Sequence, residues 1–189
     1  KIAKDAASGK NIAVAGSVST YGYFLKDGIE NMLPSFNEHL KILSNSGVDL
    51  IILEAMSSQS EIVEALLKCS KNINLPIWLS ISCVFDKNKE IYLGYDDDVK
   101  NDKPKIYENF KESLYKFKKI HTGPILVAHS NMSVTDEAIK ILKDNYNQII
   151  GAYPNRGYFE KPEWKFIDNI QTKDYLDKAK SWKNNGAQI

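Results

Sequence analysis

The chain has 189 residues, 43% hydrophobic and 26% charged, with 25 basic against 24 acidic side chains and a formal net charge of +1. That suits one globular domain over 1–189, large enough to bury a core. Such a balance leaves no electrostatic footprint for nucleic acid or an anionic membrane, and no run approaches the ~18 apolar residues of a membrane span.

Two widely separated cysteines, Cys69 and Cys83, have no CxxC partner. They argue against a disulfide framework and point to a reducing cytoplasm. Lys1–Lys10 lacks the apolar core of a signal peptide. The charged runs at 96–98 and 116–119 read as solvated loop or helix faces.

The hydrophobic period alternates between strand and helix along the chain. Asn11–Ala15 reads as a buried strand, and Leu33–Ser46 as a helix with Leu33, Phe36, Leu40, Ile42 and Leu43 at helical spacing. Leu50–Leu53 is the next strand and Ser60–Ser70 the next helix. Pro76–Val84 reads as one strand, Lys105–Lys119 as an amphipathic helix carrying Ile106, Phe110, Leu114 and Phe117, and Pro124–Ala128 as a strand. Thr135–Asn145 reads as a helix with Asp136 and Glu137 in its first turn, where acidic groups suit the helix dipole. Gln148–Tyr153 is a strand, Thr172–Asn184 a helix, and Gly186–Ile189 the start of another strand. Alternating βα units imply a parallel sheet with right-handed crossovers. Two α/β architectures fit: an open doubly wound sheet, and part of a (β/α)8 TIM barrel, which takes eight strands and about 250 residues.

In either architecture, sites form at the C-terminal ends of the strands, and the unusual residues fall there. Asp49–Met56 delivers the carboxylate of Glu54 to a strand end. Burying it bare is costly, so it either receives a substrate ammonium or pairs with a Lys or Arg. The small residues of Gly16–Gly22, with Ser17 and Tyr21, allow close backbone approach to a ligand, although they form neither a GxGxxG nor a P-loop pattern. His129 ends a strand, whereas His39 sits within a helix and His121 in a Thr-Gly-Pro turn. With no HxH or HxxxH pair, a histidine metal site is not indicated. Tyr153–Gly157 is a strand end followed by a sharp turn, with Asn155 and Arg156 available to a ligand or to solvent.

In order along the chain, these segments resemble the homocysteine S-methyltransferase family. Ala15–Gly28 with Glu30 (AGSVSTYGYFLKDGIE) resembles the family's Gly-Ser-x-Gly-x-Tyr-Gly loop and the Asp-Gly-x-Glu after it. Gly47–Met56 resembles its Gly-Val-Asp-Leu…Glu-Thr strand, and Ile77–Ser82 its Trp-x-Ser-Phe strand. Tyr153–Gly157 resembles Tyr-Pro-Asn-Ser-Gly, and Trp182–Ile189 the run into its last strand.

The resemblance implies a partial TIM barrel, about strands 3 to 7 and the start of 8, with the first two strands and their Asp-Gly-Gly motif outside the chain. It implies methyl transfer to the homocysteine thiol, forming methionine, from a methyl group carried by a small donor such as a sulfonium (S-methylmethionine) or a quaternary amine, or by a cobalamin. Glu54 would hold the substrate ammonium, with Ser17, Tyr21, His129 and Asn155 lining the pocket. Family members hold zinc with three cysteines. Ser130 takes the place of the first, and the other two lie in a Gly-Gly-Cys-Cys stretch beyond Ile189. A hydroxyl is a poor zinc ligand, so this chain alone is expected to be inactive. The alternative is a zinc-less binding or assembly domain that pairs its open barrel edges as a homo-oligomer.

Overall fold

The computed structural model describes residues 2–20, 28–57, 59–95, 105–155, 158–160, 163–165 and 170–189. In chain order the elements are α1 (Ile2–Ala7), β1 (Ala15–Ser19), α2 (Gly28–Asn45), β2 (Leu50–Met56), α3 (Ser60–Ser70) and β3 (Ile77–Ile81). There follow β4 (Cys83–Phe85), β5 (Ile91–Tyr95), β6 (Lys105–Asn109), α4 (Phe110–Phe117), β7 (Ile125–Ala128) and α5 (Met132–Asn145). The chain continues with β8 (Ile150–Tyr153), β9 (Tyr158–Glu160), β10 (Glu163–Lys165) and α6 (Thr172–Asn184). Among the described residues no helix is long and apolar enough to cross a membrane.

Sheet order separates the two architectures. The central sheet is all parallel and runs β1-β2-β3-β7-β8, the same order as the chain. A doubly wound sheet reverses direction at a switch point. A sheet that never reverses, with right-handed crossovers, places its helices on one face. That is the arrangement of a (β/α)8 barrel, and the fold is an arc of one. A parallel bridge from Ala187 to Ile150 begins a sixth strand beside β8, as the sequence indicates.

Burial follows the same geometry. Ile51, Leu53, Leu79, Ile81, Ile125 and Val127 are fully buried and join the core with Phe36 and Leu40 of α2, Leu66 and Leu67 of α3, and Phe110, Leu114 and Phe117 of α4. The alternate residues Ile52, Glu54 and Trp78 face the inside of the arc and are only half-buried.

Several elements depart from the sequence reading. The first strand is Ala15–Ser19, not Asn11–Ala15. Its ladder opens with Ala15 opposite Leu50, so the apolar run before it overhangs β2, and Ile12 is 59% exposed. Gly16–Ser19 is therefore strand, not loop. Gly16 lies so close to Leu43 of α2 that an added Cβ would sit 3.1 Å from its side chain. Pro76–Val84 is not one strand: after Ile81 the chain leaves the parallel sheet for the antiparallel sheet β4-β5-β6. An unbroken apolar run cannot reveal a change of sheet. Within Lys105–Lys119 the helix starts only at Phe110, because Asn109 caps it by accepting from the N–H groups of Lys111 and Glu112. Helix α5 starts three residues early at Met132, capped by Asn131. Asp136 and Glu137 thus lie beyond the first turn. Asp136 instead accepts from Trp182 Nε1 (2.7 Å) and Lys178 Nζ, which docks α6.

The β4–β6 insertion is latched to α3. No cap bond comes from Gln59 itself. Glu108 of β6 does that job from a distance, accepting from the Ser60 N–H (3.2 Å) and hydroxyl (2.5 Å), while Lys116 of α4 bonds the same carboxylate at 3.0 Å. Replacing Glu108 with Ala should therefore destabilise the chain by about 1–2 kcal/mol, the usual cost of a lost cap. A chemical denaturation midpoint equal to that of the unmodified chain would show that the latch carries no stability.

Candidate functional site

The site lies at the C-terminal rim of the sheet, where β2, β3, β7 and β8 end. In β2 the ladder slips: Leu53 pairs with Leu79 and Met56 with Ile81, so Glu54 and Ala55 together face Ser80. This is a bulge, which turns the strand locally. Ala55 takes up the turn with φ +54°, a left-handed conformation rarely adopted by a residue with a side chain. At the end of β7, His129 has φ +50°. Each such residue stores about 1–3 kcal/mol of strain, and these two flank the same contact.

That contact joins Glu54 and His129. His129 Nε2 lies 3.0 Å from Glu54 Oε1, and Ser17 Oγ donates to Glu54 Oε2. An ionised carboxylate has no proton to give, so the histidine tautomer is the one that carries its proton on Nε2. Burial alone raises the Glu54 pKa. The bonds from Ser17 and His129 outweigh it and hold the carboxyl below its ordinary value. Glu54 is thus an anion at neutral pH, with its side chain 31% exposed. Two hydrogen bonds leave acceptor capacity on its oxygens for a cation.

Tyr153 forms the wall behind this pair. Its ring meets the His129 ring edge-on, with centroids 5.6 Å apart, and its hydroxyl shares a 2.6 Å hydrogen bond with Ser80 Oγ. Burial pushes its pKa to about 12, so it stays a neutral phenol. Ser80 and Tyr153 were not among the expected pocket residues, although both fall in segments that carry the family resemblance, Ile77–Ser82 and Tyr153–Gly157. For Ser80 a further signal was its alternation with Leu79 and Ile81 in an otherwise apolar strand.

The other expected site residues divide. Asn155 joins the rim through its backbone, its N–H donating to the Ser130 carbonyl at 2.9 Å. Ser130 is 3% exposed; its hydroxyl donates to the Ala128 carbonyl (2.9 Å) and accepts from the Cys83 N–H (2.8 Å), tying β7 to β4. Tyr21, Gly22, Arg156 and Gly157 lie outside the described residues. His39 is exposed on α2. His121 is 6% exposed and donates from Nε2 to the Pro124 carbonyl (3.1 Å), with its pKa lowered by burial.

These donors do not fit a zinc site. The Ser130 hydroxyl already makes two hydrogen bonds, and His129 is committed to Glu54. Cys83 is buried on β4 and Cys69 half-buried on α3, and burial raises both thiol pKa values, which opposes the thiolate that zinc requires. Among the described residues no group of three or more His, Cys, Asp and Glu side chains is placed to hold a metal ion.

Comparison with known proteins agrees with the fold. The chain is 26% identical over 196 residues to a curated selenocysteine methyltransferase of Astragalus bisulcatus, a match covering 94% of this chain and 53% of that protein. It thus spans about half the length of that relative. The homocysteine methyltransferase MmuM from Escherichia coli superposes in its apo form with a TM-score of 0.63 at 19% identity, over 98% of this chain and 59% of the other. Its metallated form gives 0.60 at 20% identity, over 98% and 57%. A family model described as homocysteine S-methyltransferase matches residues 1–189, and the chain belongs to that family.

Proposed function

We propose that this chain supplies the amino-acid-binding side of a methyltransferase acting on a thiol or selenol, with homocysteine as the substrate. The observation that carries this reading is the Glu54 carboxylate, kept ionised by Ser17 and His129 and half-open at the rim. A carboxylate in that state suits the α-ammonium of an amino acid, as a charge-assisted hydrogen bond of about 1.5–3 kcal/mol. Anchoring the ammonium would orient the thiol side chain. In the reaction the sulfur forms a new S–CH3 bond as the donor's bond to that methyl breaks. A sulfonium donor leaves as a neutral thioether, and the thiol proton passes to solvent.

Zinc would lower the thiol pKa in such a reaction, but the described residues do not fit a zinc site. The 189-residue chain is therefore proposed to bind without turning over. Supplied with zinc, homocysteine and S-methylmethionine, it should form no methionine above the uncatalysed background. Titrated calorimetrically with L-homocysteine under reducing conditions, it should give saturable binding. Absence of binding at millimolar ligand would overturn the amino-acid pocket. Clear methionine formation would overturn the requirement for three thiolates.

A further inference from the structure

The basic run at 116–119 serves two ends. Lys116 turns inward and donates to the Ser60 hydroxyl (2.7 Å) and the Glu108 carboxylate (3.0 Å). Lys118 and Lys119 turn outward. Their ammonium nitrogens lie 4.8 and 4.6 Å from the centre of one ring, that of Tyr115, which is 57% exposed. Helical spacing explains the grouping. Residues three and four apart are neighbours on a helix surface, so Lys111, Tyr115, Lys118 and Lys119 form one stripe. Phe110, Ser113, Leu114 and Phe117 fill the buried side of α4.

Two ammonium groups gathered on one ring repel each other, and a tyrosine face only partly offsets their charge. Lys118 also reaches the Asn145 carbonyl at the end of α5 (3.5 Å), where a cation suits the helix dipole. Lys119 has no such task. Among the described residues neither ammonium meets a carboxylate.

The stripe borders a trough between α4 and the end of α5. Two cavities of about 340 and 390 Å³ share Tyr115, Lys118 and Asn145 in their lining and so run into each other. Leu114 lines one lobe, and the uncharged amides of Asn147 and Gln148 line the other. The charged lining consists of Lys111, Lys118 and Lys119 against Glu112 alone. Thr122, ahead of β7, and Gln148, ahead of β8, belong to it. The trough therefore lies at the N-terminal ends of the strands, away from Glu54.

We propose that this trough docks an acidic linear segment of a partner protein, anchored by an apolar side chain. The exposed Tyr115 ring beside Leu114 takes the anchor, as aromatic residues do at interface cores. Lys118 and Lys119 pair with carboxylates on either side of it. The amides of Asn147 and Gln148 both donate and accept, which suits the main chain of an extended segment. A compact anion would occupy one lobe and leave the ring unused. Three lysines beside a glutamate are too few for a phosphate backbone, which takes a basic patch to neutralise several phosphates. The proposal stands apart from the amino-acid reading of the opposite rim.

The test measures fluorescence anisotropy of a labelled Glu-Leu-Asp-Gly repeat peptide with the 189-residue chain. Binding should be saturable, should weaken with added salt, and should be absent for the same repeat with Lys in place of its acids. A Lys118→Glu, Lys119→Glu double variant should bind about tenfold more weakly, having exchanged two attractions for two repulsions. Tyr115→Ala should also lose about tenfold. Glu112→Gln should bind roughly two- to threefold more tightly, because the one carboxylate in the lining has lost its charge. Lys118, Lys119, Tyr115 and Glu112 are exposed, so the melting temperatures should stay close to that of the unmodified chain. No saturable binding at millimolar peptide would overturn the proposal. Unchanged affinity in the double lysine variant would place the peptide elsewhere and overturn it too. Equal binding of a repeat with Gly in place of Leu would reduce the contact to charge alone, and displacement of the peptide by an equal concentration of inorganic phosphate would assign the trough to a small anion. Either result overturns the docked segment.

Discussion

Substituting Glu54 with Gln is expected to weaken homocysteine binding by about ten- to a hundredfold, the range set by a hydrogen bond between charged groups of roughly 1.5–3 kcal/mol. Gln keeps the length of the side chain and can still accept from Ser17, so the local framework survives and the charge alone is lost. Stability should change little, because the side chain is 31% exposed and solvent screens its pairing with His129. The pH dependence carries a definite sign. Folding lowers the Glu54 pKa from 4.5, the net effect of burial and the two opposing hydrogen bonds. The associated stability is therefore fully present above about pH 4.5 and is lost as pH falls through the lower folded value. Binding through the carboxylate should weaken over that same acidic window in the unmodified chain, while the Gln variant stays flat. Glu54→Asp, which keeps the charge but withdraws it by one methylene, should fall between the two. Equal affinity for the unmodified chain and the Gln variant would remove Glu54 from the pocket.

Much of this arrangement was legible because strand ends are marked in the sequence. A carboxylate closing Leu-Ile-Ile-Leu, or a histidine closing Ile-Leu-Val-Ala, breaks an apolar run that the core otherwise demands. Such a break at a parallel strand's C-terminal end falls where barrels build their sites. The contact between Glu54 and His129, 75 residues apart, was not legible. It depends on the slip in β2 and on two left-handed residues, Ala55 and His129, neither of which is a residue type that announces such a conformation. The β4–β6 insertion was hidden for a different reason: Cys83-Val84-Phe85 continues the apolar run of β3, and the sheet changes at Ser82 without a glycine or proline to mark it.

The arc depends most sharply on Gly123, and Gly123→Ala should destabilise the chain by on the order of 3 kcal/mol, as expected when a group is forced into filled space. An added Cβ there would lie 2.3 Å from the Ile77 carbonyl oxygen and 2.9 Å from His121 Cε1. Neither neighbour can yield cheaply. Ile77 is the first residue of β3, and the His121 ring is held by its bond to the Pro124 carbonyl. The Tyr146 hydroxyl donates to the Gly123 carbonyl at 2.5 Å, and the Leu79 N–H donates to the Pro124 carbonyl at 2.9 Å. The chain is thus pinned just where β7 enters the sheet. Strand β7 has only four residues, Ile125–Ala128, so a displacement at its start reaches His129 at its end and loosens the bond to Glu54. The melting temperature should fall by roughly 10 °C for a chain of this size, and homocysteine affinity should fall with it. Gly47→Ala supplies the control. Gly47 has φ +80° with nothing within 4 Å of an added Cβ, so its replacement should cost only about 1 kcal/mol, from backbone conformation alone, and leave binding intact. Equal losses in the two variants would show that crowding at the β3–β7 junction does not set the position of the rim.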